Sequence, residues 1–280
     1  MQKSRTINEI FSAKAAIEGA GVHLHRGFGN PDIPKFDPFL LFDDFSSENP
    51  ADYLPGFPMH PHRGIETVTY VIEGEVWHQD SIGNRGSIQS GDIQWMTAGS
   101  GIMHQEMPKG SKGLKGFQLW VNLPSKHKMS DPRYRGILSK EIPEVALGKS
   151  GRIKIIAGEF GATKATLGDI YADPIYMDIK IDRADRLELP LPVDYNVFIY
   201  VFDNSLMVDN QIVKSGSVAL FNQDGNSIEF IVNSSGVRFL IAAGKPIGEP
   251  IAWYGPIVMN TEDELYTAVT DLKTGRFVRV

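Results

Sequence analysis

Short runs that alternate apolar and polar residues, closed by glycine or proline, recur along most of this chain. "IETVTYVIEGEVWHQD", "GSIQSGDIQWMTAG" and "GLKGFQLWVNLP" fill the first half. "PIYMDIKID", "YNVFIYVFD", "SLMVDNQIVKSGSVALFN", "SIEFIVNSS" and "VRFLIAAGKP" fill the second. Side chains two apart share a face of a strand, so each run can bury one side and wet the other. Regular short strands between turn residues predict an all-β sandwich or barrel. One helix stands apart near the end, in "NTEDELYTAVTDLKTGRF". Asn260 or Thr261 can cap it, acidic residues fill its first turn, and Gly275 can stop it. Leu265, Val269 and Leu272 are expected to share its inner face.

The 280 residues suit two modest domains or one large β domain. A weak internal repeat favours two. "RGSIQSGDIQWM" and "NQIVKSGSVALF" each read as a strand, a Ser-Gly turn and a strand. The polar stretch from Ser125 to Gly151 has little patterning. The expected division is therefore a domain over 1–130, a linker over 131–150 and a second domain over 151–280 that carries the helix.

With 28 basic and 34 acidic residues, the formal charge is −6. Nothing in that balance draws the whole surface to nucleic acid or to an anionic membrane, and neither is an expected partner. No run approaches the ~20 apolar residues of a membrane span. "MQKSRTINEIFSAKAAIEG" lacks the apolar core of a signal peptide, so a cytoplasmic chain is expected, with the nucleus open to a eukaryotic one. A monomer is expected. There is no cysteine, which excludes disulfides, thiolate metal sites and a cysteine nucleophile. Any bound metal must be held by His, Asp or Glu.

All seven histidines lie at or before residue 127: 23, 25, 60, 62, 78, 104 and 127. Only the first half can offer imidazole ligands. In "HPHRGIE", His60 and His62 have the spacing that puts two imidazoles on one face of a strand, and Pro61 stiffens the segment between them. Glu66 keeps the same parity and can join them. In "GSGIMHQEMP", His104 and Glu106 repeat the i, i+2 spacing. A barrel can bring the two segments together. Three neutral imidazoles and a carboxylate suit Fe(II), Mn(II), Ni(II), Cu(II) or Zn(II). His23, His25, His78 and His127 read as ordinary core or surface residues. Phe57, Met59, Trp95, Met96 and Met103 flank the ligand segments and would be barrel core or the lining of a cleft.

"GFPMHPHRGIETVTYVIEGEVWHQDSIGNRG" followed by "SGDIQWMTAGSGIMHQEMP" resembles the pirin family of the cupin superfamily. "EGAGVHLHRGFGNPDIPKFDPFLLFDDF" and "EPIAWYGPIVMNTEDEL" extend the resemblance over nearly the whole chain. It implies a bicupin: two cupin-type β-barrels (double-stranded β-helices) face to face, with a metal in the first. It implies His60, His62, His104 and Glu106 as the ligands of a divalent ion, Fe(II) first among the candidates, with water completing the shell. Glu66, the acid of the general cupin pattern, is left a supporting role. The second barrel is then closed or metal-free, and the C-terminal helix returns to the first domain.

The resemblance further implies quercetin 2,3-dioxygenase chemistry. An aromatic, flavonol-like substrate and O2 would be the partners, Glu106 would take the proton of the 3-hydroxyl, and ring opening would release CO. The competing implication is an iron-dependent regulatory protein, such as a transcription co-regulator, that binds a protein partner. Lys109, Lys112 and Lys115 are a small basic cluster near the ligands, of the kind a solvated loop carries.

Overall fold

The computed structural model describes residues 3–279. It divides into two compact units that are not contiguous in sequence. One comprises the described residues through Ala13, Pro34–Pro38 and Lys140–Pro246. The other comprises Lys14–Ile33, Phe39–Ser139 and the residues from Ile247 onward. All seven histidines fall in the latter, the histidine unit.

The chain enters through β1 (Ile7–Ser12), which belongs to the histidine-free unit. The histidine unit follows with β2 (Lys14–Glu18), β3 (Val22–Phe28), β4 (Phe39–Asp44), β5 (Phe57–His62) and β6 (Ile65–Glu73). It continues with β7 (Glu75–Asp80), β8 (Arg85–Gln89), β9 (Ile93–Thr97), β10 (Ile102–Lys109), β11 (Lys115–Asn122) and β12 (Arg133–Ile137). Two antiparallel sheets result. One has the order β5-β10-β7-β8, the other β12-β9-β6-β11-β4-β3-β2. Their inner faces meet, as the contact of Thr69 on β6 with Glu106 on β10 shows.

Inward positions along β6 run Ile65, Thr67, Thr69 and Val71, all buried. The chain changes sheet between β5 and β6, at Arg63 and Gly64. Gly64 has φ +77°, and a Cβ there would lie 1.9 Å from the Val258 carbonyl oxygen. Only glycine meets both conditions.

The histidine-free unit continues with β13 (Glu144–Leu147), β14 (Gly151–Ala157), β15 (Glu159–Phe160), β16 (Thr163–Lys164), β17 (Ile175–Ile181) and β18 (Asp185–Pro190). Then come β19 (Asn196–Val208), β20 (Gln211–Lys214), β21 (Ser217–Phe221) and β22 (Ser227–Gly244). A sheet of order β1-β21-β19-β22-β17-β14-β13 curls around one apolar core, in which Ile179, Ile199, Phe230 and Phe239 are fully buried. Each repeat segment is a strand, a turn and a strand, β8 to β9 and β20 to β21, and in neither are the two strands paired with each other: β8 pairs with β7 and β9 with β6, while β20 and β21 each pair with β19. The stretch 131–150, expected to be a linker, holds two paired strands. β12 joins β9 in one unit and β13 joins β14 in the other.

The tail from Ile247 belongs to the histidine unit. It forms β23 (Ala252–Tyr254), β24 (Ile257–Met259) and the terminal helix. A four-residue helix, α1 (Pro50–Tyr53), lies earlier, and the terminal helix is α2 (Glu262–Lys273). Thr261 is its N-cap: its hydroxyl accepts from the Glu264 N–H, and the Glu264 carboxylate accepts from the Thr261 N–H. Leu265 and Ala268 are buried against β23 and β24, whereas Leu272, expected on the inner face, is 36% exposed. The small Ala268 allows close approach and turns the inner face that way. Among the described residues, no helix is long and apolar enough to cross a membrane.

Candidate metal centre

β5 and β10 are neighbours in register, with His60 opposite His104. That pairing, added to the i, i+2 spacing of His60 and His62, brings three imidazoles together. One ring nitrogen from each of His60, His62 and His104 lies within 4.8 Å of the others. Their ring centroids are 4.3–4.9 Å apart. His62 and His104 are buried and His60 is partly exposed at the edge.

Carbonyl groups set the tautomers. His60 Nδ1 is 2.8 Å from the Pro58 oxygen and His62 Nδ1 is 3.2 Å from the Pro256 oxygen. A carbonyl only accepts, so each Nδ1 carries the hydrogen and each Nε2 presents a lone pair. Those two Nε2 atoms are 3.1 Å apart. Neither nitrogen of His104 has a hydrogen-bond partner among the described residues. Burial lowers the pKa of all three rings, and neighbouring imidazoles lower His62 and His104 further. They are therefore neutral near pH 7, the form that binds a cation.

Glu106 shares the inward face of β10 but lies outside the group of three. Its Oε1 is 2.7 Å from the Thr69 hydroxyl, which is also 2.7 Å from Gln118 Oε1. One hydroxyl hydrogen serves only one acceptor. Either the Gln118 amide is turned with its nitrogen toward Thr69, or Glu106 is protonated and donates to Thr69. Burial raises the Glu106 pKa, opposed by the Thr69 hydrogen bond.

Glu66 is not part of this arrangement. The sheet change at Arg63–Gly64 breaks the parity that runs from His62, and Glu66 falls on the other face of β6 from Thr69. There it accepts from the Thr97 hydroxyl at 2.7 Å, with Arg135 at 3.7 Å.

Of the expected lining residues, Trp95 pairs with Val68, on the face away from the imidazoles, and is fully buried. Met96 belongs to the apolar cluster with Ile65 and Ile102, Phe57 and Met103 pack on other clusters, and Met59 is 45% exposed. Trp120 instead meets the site, edge to face with His62 at 5.1 Å. Lys109 lies over the Trp77 ring.

His23 and His25 are exposed on β3, as expected of ordinary surface residues, and His127 is half-buried. His78 lies in the core: it is buried, sits opposite Glu106 in register and stacks on Tyr134 at 4.6 Å. Its even spacing with Asp80, on a strand that follows the first pair of histidines, was the available signal.

The loop after His62 is tightly held. Lys128 Nζ is buried and donates to the Gly64 and Val258 oxygens at 2.9 Å and to Asn122 Oδ1 at 2.6 Å. Burial pulls its pKa down to about 7, opposed by the negative charges of Glu249 and Glu264. Arg63, 1% exposed, donates to Asp271 and to the Phe277 carbonyl and lies over the Phe277 ring.

Paired β-sheets closed around three inward-facing histidines define a cupin-type barrel, here with a second barrel in the same chain. Comparison gives the family. Residues 21–121 match the Pirin family model and residues 176–278 match the Pirin C-terminal cupin domain. A pirin-like protein of Caulobacter vibrioides is 41% identical, with 98% of this chain and 99% of that one covered. Human pirin is 36% identical, covering 99% and 95%. The crystal structure of a quercetin 2,3-dioxygenase from Acinetobacter baumannii superposes with a TM-score of 0.90 at 32% identity, covering 98% and 99%. This chain belongs to the pirin family.

Proposed function

We propose that the protein is a metal-dependent flavonol dioxygenase of the quercetin 2,3-dioxygenase type. His60, His62 and His104 hold a divalent ion, and Glu106 is the carboxylate of the site. The observation that carries this is the pair of Nε2 lone pairs facing each other across 3.1 Å, with both Nδ1 hydrogens committed to carbonyls. No hydrogen is left to place between them, and their repulsion is relieved by a shared cation. Two nitrogens at right angles on an ion ~2.1 Å away would lie about 3 Å apart, which the pair matches. The all-nitrogen-and-oxygen donor set suits Fe(II) and also Mn, Ni, Cu or Zn. The likeness to a structure described as a quercetin 2,3-dioxygenase supports the substrate class.

A bound divalent ion would acidify a coordinated hydroxyl and offer an open position for substrate. Glu106, kept in a raised carboxyl range by burial, is the residue on the inner face suited to accept the flavonol 3-hydroxyl proton. Thr69 holds that carboxyl in place. Trp120 and the buried rings around the imidazoles exclude water and give a flat ligand apolar surface.

The test is metal analysis of the purified protein, followed by chelation, reloading with single metals and exposure to quercetin under air. Loss of the flavonol absorbance band with the reloaded protein, and none with His104→Ala, is expected. Protein that retains no metal, or that holds metal and leaves quercetin intact, would refute the proposal.

A further inference from the structure

The two barrels fill their interiors differently. The histidine-free barrel holds one large apolar cluster, in which Ile179, Val197, Ile199, Phe230, Phe239 and Ile241 are all buried. In the histidine unit, the inner face of β6 meets one apolar cluster at Val71, with Val76 and Ile88, and another at Ile65, with Met96 and Ile102. Between them lies a layer of polar side chains, and several have no partner.

Gln94 is 1% exposed, and neither its amide nitrogen nor its amide oxygen is hydrogen-bonded among the described residues. It pairs in register with Thr69, so it shares the inner face from which Thr69 reaches Glu106. Tyr134 pairs with Met96 on the same face, and its buried hydroxyl is likewise unbonded. His78, stacked on Tyr134 and opposite Glu106, leaves Nδ1 unpaired. A buried polar group left unpaired destabilises the fold, and an apolar side chain of like shape would avoid that cost. Their gathering on one face beside the imidazoles points to a ligand that pairs with them.

We propose that Gln94, Tyr134 and His78 form a polar subsite that reads oxygen substituents on a planar aromatic ligand whose enol oxygen lies at the three imidazoles. The proposal rests on the flavonol reading above and specifies it. An amide and a phenol each offer a donor and an acceptor, and all three groups favour ring hydroxyls over bare ring carbons. A site built to hydrogen-bond a hydroxyl rejects the analogue that lacks it. The substrate class is therefore flavonols hydroxylated on the rings, not the unsubstituted 3-hydroxyflavone core.

The experiment is anaerobic binding of quercetin and of 3-hydroxyflavone to metal-loaded protein, followed by the shift in ligand absorbance. Wild type is expected to prefer quercetin by about tenfold or more. Gln94→Leu and Tyr134→Phe should each cut that preference about threefold or more through weaker quercetin binding, with metal content unchanged. Tyr134→Phe removes one oxygen and keeps the ring stack, so it serves if Gln94→Leu misfolds. Wild type that binds both ligands equally, or variants that keep the full preference, would overturn the subsite and leave the flavonol reading standing. Wild type that binds neither ligand would overturn both.

Discussion

Arg63 Nη1 donates to the Asp271 carboxylate at 2.9 Å, tying the residue after His62 to the last helix of the chain. The Arg63 side chain is 1% exposed and that of Asp271 14%. Breaking such a pair from one side strands a buried charge, which typically costs 3–5 kcal/mol (about 3 here, since Asp271 is not fully enclosed). Asp271→Ala should therefore lower the stability of the histidine unit in urea unfolding and weaken metal retention against a chelator. Unchanged retention would show that the tail does not support His62.

Gly64 marks the change of sheet. Gly64→Ala would combine a left-handed backbone with a Cβ driven into the Val258 carbonyl oxygen. The expected loss is more than about 2 kcal/mol, by the strain and overpacking that make point changes severe. Thermal unfolding measures it, and a variant as stable as wild type would contradict the crossover geometry.

The Thr69 hydroxyl is the hydrogen-bond partner found for Glu106. Thr69→Val keeps the shape and removes that bond, which otherwise lowers the pKa of the buried carboxyl. Glu106 should then hold its proton to higher pH, and the acid limb of the pH–rate profile for quercetin should move upward. A stability cost of about 1–2 kcal/mol accompanies the lost bond. An unmoved acid limb would remove Glu106 from the role of proton acceptor.

Stability of the metal-free protein should depend on pH through the imidazoles. His62 and His104 have pKa values well below the ordinary value, chiefly through burial. As pH falls toward ~6.5 the unfolded chain binds protons that the folded state refuses, so each ring costs stability below that point. Glu66 and Glu106, raised by burial, act in the opposite sense: their cost fades as pH falls through their folded values. Comparing wild type with His104→Asn isolates one ring. Between pH 7.5 and 5.5 the wild type should lose more stability, by up to about 1.4 kcal/mol per pH unit below ~6.5. Parallel urea midpoints in the two proteins would contradict this.

Much of the architecture was legible because strand periodicity is local. The alternation in "IETVTYVIE" sufficed to predict β6, and a cap at Asn260 or Thr261 with acidic residues behind it sufficed for α2. The histidine pairs were legible for the same reason: residues two apart on a strand share a face wherever that strand goes. The absence of histidine after residue 127 likewise foretold a barrel without imidazoles.

Which faces meet was not written in any such period. Counting by twos from His62 reaches Glu66, yet the chain changes sheet at Gly64 and sends Glu66 to the other side. His78 read as one more histidine until the register set it opposite Glu106 and against Tyr134. Pro256, which orients His62, lies 194 residues away in sequence, and Asp271, which holds Arg63, lies 208 away. Local sequence determined strands, their inward parity and the stock of histidines and carboxylates. Only the tertiary structure decided which of those side chains share one interior, because cross-strand register and long-range hydrogen bonds are settled by packing of the whole unit.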